Sequence, residues 1–261
     1  MATYLDTIIR AHRARAARDD RDIAALVTQA KECSATRGFQ KALCPGSGGM
    51  SVIAEIKRRS PSKGDLAPGL VPDVLAKAYA GGGARCLSVL TDNEFFGGSL
   101  DDLAQARAAV GLPVLRKDFT VSAADVCDAR LAGADALLLI VSALSPGELG
   151  DLLALSRQVG LDALVEVHDD AEAELALAAG AEMIGVNQRD LMTFEVDTGR
   201  AARVAAHLPS GVAKVAESGI HNREDVRRLE SAGYDAVLVG EALVTARDPG
   251  AALAALTAGA P

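Results

Sequence analysis

Ala132-Gly133-Ala134-Asp135-Ala136-Leu137-Leu138-Leu139 holds one structural unit of the chain in miniature. A helix closes at the glycine, a short turn carries one polar residue, and an apolar run begins a strand. Glycine suits the left-handed position that ends a helix. An unbroken apolar run suits a strand covered on both faces of a parallel sheet. The pattern recurs at Gly82-Gly83-Ala84-Arg85-Cys86-Leu87-Ser88-Val89, at Ala179-Gly180-Ala181-Glu182-Met183-Ile184-Gly185-Val186 and at Ala232-Gly233-Tyr234-Asp235-Ala236-Val237-Leu238-Val239.

Four further strand-like runs lie in the intervals: Ser51 to Ile56, Val114-Leu115, Leu161 to Glu166 and Val212 to Ala216. Each of the eight is followed by a helical pattern, near 72–80, 100–109, 122–131, 146–158, 171–178, 199–206, 223–231 and 249–256. Ser99, Ser122, Ser145, Asp169, Thr198 and Asn222 stand where N-caps belong. Eight βα units over about 210 residues predict a (β/α)8 TIM barrel. An open doubly wound sheet competes, but no G-x-G-x-x-G follows the first strand. Residues 1–50 precede the barrel of 51–261 within one domain, 1–261. Tyr4, Leu5, Ile8 and Ile9, then Ile23, Leu26 and Val27, recur at helical spacing, so this segment reads as amphipathic helices. Its arginines, from Arg10 to Arg21, read as a solvated face balanced by Asp19, Asp20 and Asp22. Pro45-Gly46-Ser47-Gly48-Gly49 punctuates the entry to the barrel.

Composition narrows the function. The 261 residues are 49% hydrophobic and 24% charged, with a net charge of −8, which disfavours a nucleic-acid or anionic-membrane surface. Cys33, Cys44, Cys86 and Cys127 are scattered, with no C-x-x-C pair and no histidine at ligand spacing. They read as reduced thiols rather than a disulfide or zinc framework. The longest apolar run, near Leu137 to Val141, is only strand-sized, and no signal peptide opens the chain. The expectation is a cytoplasmic protein, with a surface suited to a monomer.

In this fold the C-terminal ends of the strands converge on one face, where chemistry sits. Those ends carry Glu55 and Lys57, the segment Asp92 to Gly98, Lys117, Glu166, Asn187 and Arg189, Glu217 and Ser218, then Gly240 and Glu241. Unpaired buried ions cost several kcal/mol each, so this many must pair with one another or with a ligand. A structural ion-pair network is the bland reading of the lysines. Arg58, Arg59 and Arg116 read as solvated or packed on the barrel exterior. His168 reads as a loop or cap residue, and His12, His207 and His221 as lacking partners or metal. Glu217-Ser218-Gly219-Ile220 and Gly240-Glu241-Ala242-Leu243 follow the last two strands. There backbone N–H groups and a short extra helix form the usual phosphate site of such barrels. Ser60 and Lys63 on the first loop can contribute from the opposite side. With no Trp and five Phe in the chain, Phe95, Phe96 and Phe119 all fall just beyond strand ends. They form either a wall for a flat ring or an apolar plug.

Taken in order, these segments resemble the indole-3-glycerol phosphate synthase family. The matching motifs are Ile53-Ala54-Glu55-Ile56-Lys57 leading to Ser60-Pro61-Ser62-Lys63-Gly64, Leu90-Thr91-Asp92 with Phe95-Phe96-Gly97-Gly98-Ser99, and Leu115-Arg116-Lys117-Asp118-Phe119. They continue with Leu164-Val165-Glu166-Val167-His168, Gly185-Val186-Asn187-Gln188-Arg189-Asp190-Leu191, Ala216-Glu217-Ser218-Gly219-Ile220 and Leu238-Val239-Gly240-Glu241. Gln188 departs from the family, which more often has Asn or Ser there.

The resemblance implies ring closure of 1-(2-carboxyphenylamino)-1-deoxyribulose 5-phosphate to indole-3-glycerol phosphate, with loss of CO2 and water. It makes Glu166 the base and Lys57 and Lys117 the candidate acids, without settling which lysine acts at which step. Lys117 is the choice for the developing oxyanion, its pKa expected to fall beside Phe119. Glu55, Asn187 and Glu217 orient the lysines and the substrate hydroxyls. Arg189 takes the substrate carboxylate, and Phe96 and Phe119 flank the ring. Ser60, Ser218, Gly219, Gly240 and Glu241 bind the phosphate, with Leu191 and Leu238 also lining the site. Residues 1–45 are expected to lie over the catalytic face as part of a lid. No metal or organic cofactor is implied, because the substrate ring serves as the electron sink. A barrel isomerase, a Schiff-base aldolase and a non-catalytic sugar-phosphate binder are the rival readings.

Overall fold

The computed structural model describes residues 3–44, 49–190 and 192–258. Eight parallel strands close on themselves: β1 (Ser51–Ile56), β2 (Cys86–Leu90), β3 (Val114–Lys117), β4 (Ala136–Ile140), β5 (Asp162–Val167), β6 (Met183–Asn187), β7 (Ala213–Glu217) and β8 (Ala236–Val239). Each pairs with its sequence neighbour, and β1 closes the ring on β8 through Ser51↔Ala236 to Ala54↔Val239. This is the (β/α)8 barrel expected from the repeats. Three helices precede β1: α1 (Tyr4–Ala16), α2 (Ile23–Glu32) and α3 (Phe39–Leu43). Outside the strands run α4 (Pro72–Gly81), α5 (Leu100–Ala109), α6 (Ala123–Leu131), α7 (Pro146–Gln158), α8 (Asp170–Ala178), α9 (Arg200–Ala205), α10 (Arg223–Ser231) and α12 (Pro249–Thr257), with the short α11 (Glu241–Val244) directly after β8. Ser99, Ser122, Ser145, Asp169 and Asn222 cap their helices through side-chain oxygens. Thr198 does not, because α9 begins one residue later at a Gly199 N-cap without a side-chain bond.

Alternation along the strands makes two apolar layers from one set of residues. Val52, Ala54, Leu87, Val89, Val165 and Val237 face outward and pack under the helices. Ile53, Cys86, Leu115, Leu138, Leu164, Met183, Val215 and Leu238 face inward and fill the barrel. Among the described residues no helix is long and apolar enough to cross a membrane.

The N-terminal segment divides its work between both ends of the barrel, which corrects the lid expectation for residues beyond α1. Helix α1 lies across the catalytic face: Tyr4 packs edge-on to Phe95 and Phe194, and Arg13 pairs with Glu148. Helix α2 descends beside α6, with Arg21 joined to Asp19 and Asp128. Arg21, just before α2, and Arg13 are both solvent-exposed, as expected of a solvated face, and each also ties the segment to the barrel through an ion pair. Helix α3 closes the opposite end. Phe39 and Leu43 are buried against Ile53, Cys86 and Met183, while Ser51 Oγ donates to Leu43 O at 2.9 Å. Gln40 N donates to Asp162 Oδ2 and Arg37 N to the fully buried Asp135 Oδ1. Phe39→Ala should therefore cost about 3–5 kcal/mol of stability while leaving turnover per folded molecule unchanged. Urea unfolding checks this; a loss under about 1 kcal/mol would make the bottom plug dispensable.

Candidate active site

The inward positions continue upward in register, and there the apolar filling gives way to charge. Glu55 follows Ile53 on β1 with Lys57 just past its end, Lys117 follows Leu115 on β3, Glu166 follows Leu164 on β5, and Glu217 follows Val215 on β7. These side chains line one open cavity of about 960 Å³, mouth included, together with Asn187, Arg189, Ser60, Phe96, Phe119, Ser218, Gly219, Leu238, Gly240 and Glu241. The chain thus brings into one cavity the expected catalytic, ring and phosphate residues among those described, while Lys63 stands at the rim without lining it. Leu191 lies outside the described residues. Pro61, Ser62, Ile140, Phe194, Ile220, His221, Val239 and Ala242 line the same cavity and were not anticipated. Phe194 carries the signal that marked Phe96 and Phe119, a scarce aromatic on a loop after a strand. Phe95, by contrast, packs against Tyr4 and is not among the lining residues.

Polar contacts knit the floor. Lys117 Nζ lies 3.4 Å from Glu166 Oε2 and 3.8 Å from Glu217 Oε2, and Lys57 Nζ lies 2.5 Å from Glu55 Oε1. Asn187 Nδ2 donates to Glu166 Oε1 at 3.1 Å, while its Oδ1 accepts from Ser218 Oγ and Arg189 N. Burial alone would push the Lys117 ammonium down, but Glu166, Glu217 and Glu55 outweigh it and hold its pKa above the ordinary lysine value. The expected lowering beside Phe119 is therefore overturned, because three carboxylates act more strongly than one aromatic neighbour. Glu166 is held below the usual range in spite of burial by Lys117, His168 and Asn187. Burial, reinforced by Glu166 and Glu55 against the pull of Lys117, pushes Glu217 up to about 8. Its Oε1 is buried without a partner. With a proton on Glu217, two ammonium groups face two carboxylates, and the floor is neutral.

Two glycines create the room for this arrangement. A Cβ on Gly185 would overlap Glu217 Oε1 and crowd Leu164, and one on Gly240 would overlap Glu55 Oε1. Gly185→Ala should displace Glu217 and lower kcat by about tenfold to a hundredfold, with little effect on overall fold. Steady-state kinetics beside a thermal melt tests it; an unchanged kcat would show that Glu217 tolerates the shift.

The rim is shaped for an anion and an apolar ring. Ser218 adopts φ 67° and Gly219 φ 69° at the end of β7. A left-handed serine costs about 1–3 kcal/mol, and such strain clusters at functional loops. The α11 N-terminus faces the loop carrying Ser60 and Lys63, whose ammonium lies 3.1 Å from Glu241 Oε1. Ser60 Oγ is buried without a partner. Arg189 donates to Phe194 O at 3.0 Å and stands 4.0 Å from Glu241. Phe96 and Phe119 lie 6.1 Å apart at 40° across the cavity wall.

Several residues read as peripheral have definite partners. Arg116 is buried, donating to Thr91 Oγ1, Asp125 O and Asp118. Arg58 pairs with Asp102 and Arg59 reaches the carbonyls of Asn93 and Glu94. His168 does bond Glu172, as a cap residue would, but its Nε2 also lies 3.6 Å from Glu166 Oε1. Although burial opposes it, Glu172 and Glu166 raise the His168 pKa. His12, read as unpartnered, is buried against Asp92 at 2.9 Å. His207 pairs with Asp170 on the surface.

A family model described as indole-3-glycerol phosphate synthase matches residues 5–256. An indole-3-glycerol phosphate synthase 2 of Streptomyces coelicolor is 55% identical over 80% of this chain and 81% of its own. An indole-3-glycerol phosphate synthase of Mycolicibacterium vanbaalenii is 51% identical over 99% of this chain and 96% of its own. Among solved structures, a thiamine phosphate pyrophosphorylase from Pyrococcus furiosus superposes with a TM-score of 0.61 at 17% identity, covering 84% of this chain and 96% of that one. An N-acetylmannosamine-6-phosphate 2-epimerase from Clostridium perfringens gives 0.59 at 14%, covering 74% and 86%. Those two likenesses bear on the fold alone.

Proposed function

The chain belongs to the indole-3-glycerol phosphate synthase family, and from that premise we propose that its cavity closes the indole ring of 1-(2-carboxyphenylamino)-1-deoxyribulose 5-phosphate. The observation that carries the reading is Lys117 standing 3.4 Å from Glu166 and 3.8 Å from Glu217 beneath the Phe96–Phe119 wall. The carboxylate-bearing ring carbon attacks the ketone carbon, and the carbonyl electron pair passes to oxygen, which takes a proton from the Lys117 ammonium. Loss of CO2 returns its bonding pair to the ring. The new hydroxyl then leaves as water, protonated by Lys57 or Lys117, while Glu166 removes a proton from the sugar-derived CH2. The balance is one substrate carboxylate and one proton from solvent to one indole-3-glycerol phosphate, one CO2 and one water: two protons are given by the lysines and one is taken by Glu166. Glu217, still protonated near neutrality, can reload Lys117 between the two acid steps.

Positioning divides among the remaining groups. Asn187 and Glu55 orient Glu166 and Lys57, Arg189 takes the ring carboxylate, and Phe96 and Phe119 sandwich the anilino ring. Ser60, Ser218, Gly219, Gly240 and Glu241 receive the phosphate, the last two through backbone N–H groups beside the α11 N-terminus. Phosphate arriving there competes with the Glu241 carboxylate for Lys63. Lys63→Ala should accordingly raise KM by about threefold to tenfold and leave kcat nearly unchanged. A selective fall in kcat would move Lys63 out of the phosphate site.

The test of the whole reading is absorbance-monitored formation of indole-3-glycerol phosphate from the synthetic substrate; absence of turnover would end it. The Schiff-base alternative needs a neutral amine as nucleophile, and the carboxylates around Lys117 keep that amine protonated. Borohydride with a keto sugar phosphate should leave Lys117 and Lys57 unmodified, whereas a trapped adduct would favour the aldolase reading. The four thiols are free, as suits a cytoplasmic enzyme. A monomer belongs to the same proposal, to be checked as a 26.8 kDa species in sedimentation.

A further inference from the structure

The most developed polar cluster outside the cavity joins α1 to the two loops that carry the aromatic wall. His12, Asp92 and Asp118 are all buried there. His12 Nε2 lies 2.9 Å from Asp92 Oδ2 and 3.9 Å from Asp118 Oδ1, and Arg15 donates to His12 Nδ1 at 2.8 Å. An Nδ1 that accepts from arginine carries no proton, so Nε2 holds the ring's N–H and donates it to Asp92. The other oxygen of Asp92 accepts from the backbone N–H groups of Phe95 and Phe96, at 2.6 and 3.2 Å. Asp118 accepts from Phe119 N at 2.8 Å, and from Thr91 and Arg116. The His12 ring also packs on Phe119, with centroids 5.3 Å apart at 56°.

The three side chains are close enough together to suggest a cation site, but their chemistry is already complete. Both oxygens of each carboxylate accept hydrogen bonds from the chain, and Arg116 pairs with Asp118. A divalent ion would add two uncompensated charges and strip those donors. A direct catalytic task is excluded by position, since His12 is not among the residues lining the cavity.

We infer that His12 is a positioning residue which, through Asp92 and the face of Phe119, lets the N-terminal helix set the spacing of the Phe96–Phe119 wall and so the grip on the substrate's aromatic ring. One hydrogen bond fixes the turn that delivers Phe96, and one ring contact fixes Phe119. Both come from the same side chain of α1. The aromatic ring as ligand rests on the function proposed above.

The experiment compares two inhibitors of the intact enzyme: the substrate reduced at its ketone, which keeps the ring, and ribulose 5-phosphate, which lacks it. His12→Leu should raise KM and the inhibition constant of the ring-bearing compound about tenfold, with kcat within about threefold. The inhibition constant of ribulose 5-phosphate should stay within about twofold, whereas general loosening of the fold would weaken both ligands together. His12→Gln, whose amide nitrogen reproduces the Nε2 donor but not the ring contact with Phe119, should restore ring binding part of the way, to a constant between those of His12→Leu and wild type. If His12→Leu does not fold, His12→Asn, which is too short to reach Asp92, carries the same comparison. An unchanged ring-bearing constant, equal loss of both ligands, or a shift of the wild-type ratio on adding EDTA or Zn2+ would each overturn the inference. Wild type without turnover would instead remove the functional reading beneath it.

Discussion

Lys117→Ala is expected to lower kcat by about 10³-fold or more while changing KM by less than about threefold. The ammonium lies between Glu166 and Glu217, where an oxyanion formed at the substrate ketone would be neutralised. Its removal takes away the proposed proton donor and the only positive charge in contact with Glu166 Oε2 among the described residues. Glu166 is held below the usual carboxylate range chiefly by Lys117, which overcomes its burial. Without that cation, the Glu166 pKa rises, and the base is protonated over more of the working range. The acid limb of the rate profile should therefore move to higher pH, on top of the fall in rate. Absorbance assays from about pH 5 to 9 read both effects together. Turnover within tenfold of wild type would mean that the acid lies elsewhere, with Lys57 the first candidate.

The fold was legible because two periodicities agreed. Glycine-closed helices followed by apolar runs located the strands, and serine, aspartate and asparagine caps located the helices that follow. The inward register of the site was also implicit, since Glu55, Lys117, Glu166 and Glu217 each stand two residues beyond an apolar filler. The N-terminal segment was less readable. Amphipathic spacing marks a helix with a buried face, but not the surface that buries it. Consequently α1 and α3 were expected on one end of the barrel and occupy opposite ends.

Electrostatics was least legible. A lysine beside a phenylalanine reads as desolvated, and the opposing charges that raise the Lys117 pKa come from β1, β5 and β7. His12 looked solitary because Asp92 is 80 positions away in the chain. Gly185 carries no local signal of its role, which is that its missing Cβ admits the Glu217 carboxyl. In each instance the decisive partner lies on another strand, beyond the reach of local spacing.

Glu166→Gln is the second substitution with a large expected effect, a fall in kcat of about 10²- to 10⁴-fold with KM nearly conserved. The amide is almost isosteric with the carboxyl, so contacts with Asn187 and Lys117 can persist in shape while the proposed base is lost. Its electrostatic consequences run opposite to those of Lys117→Ala. Glu166 is the largest charged contributor, after burial, to the raised pKa of Glu217. Neutralising it lets Glu217 ionise below about 8, so any limb of the residual rate that needs protonated Glu217 should shift to lower pH. Lys117 also loses its nearest carboxylate and becomes the more readily deprotonated amine. The residual activity of Glu166→Gln should thus be confined to a more acidic window than that of wild type. A rate within tenfold of wild type, or a residual profile unmoved along the pH axis, would show that Glu166 neither takes the proton nor governs the charge on Glu217.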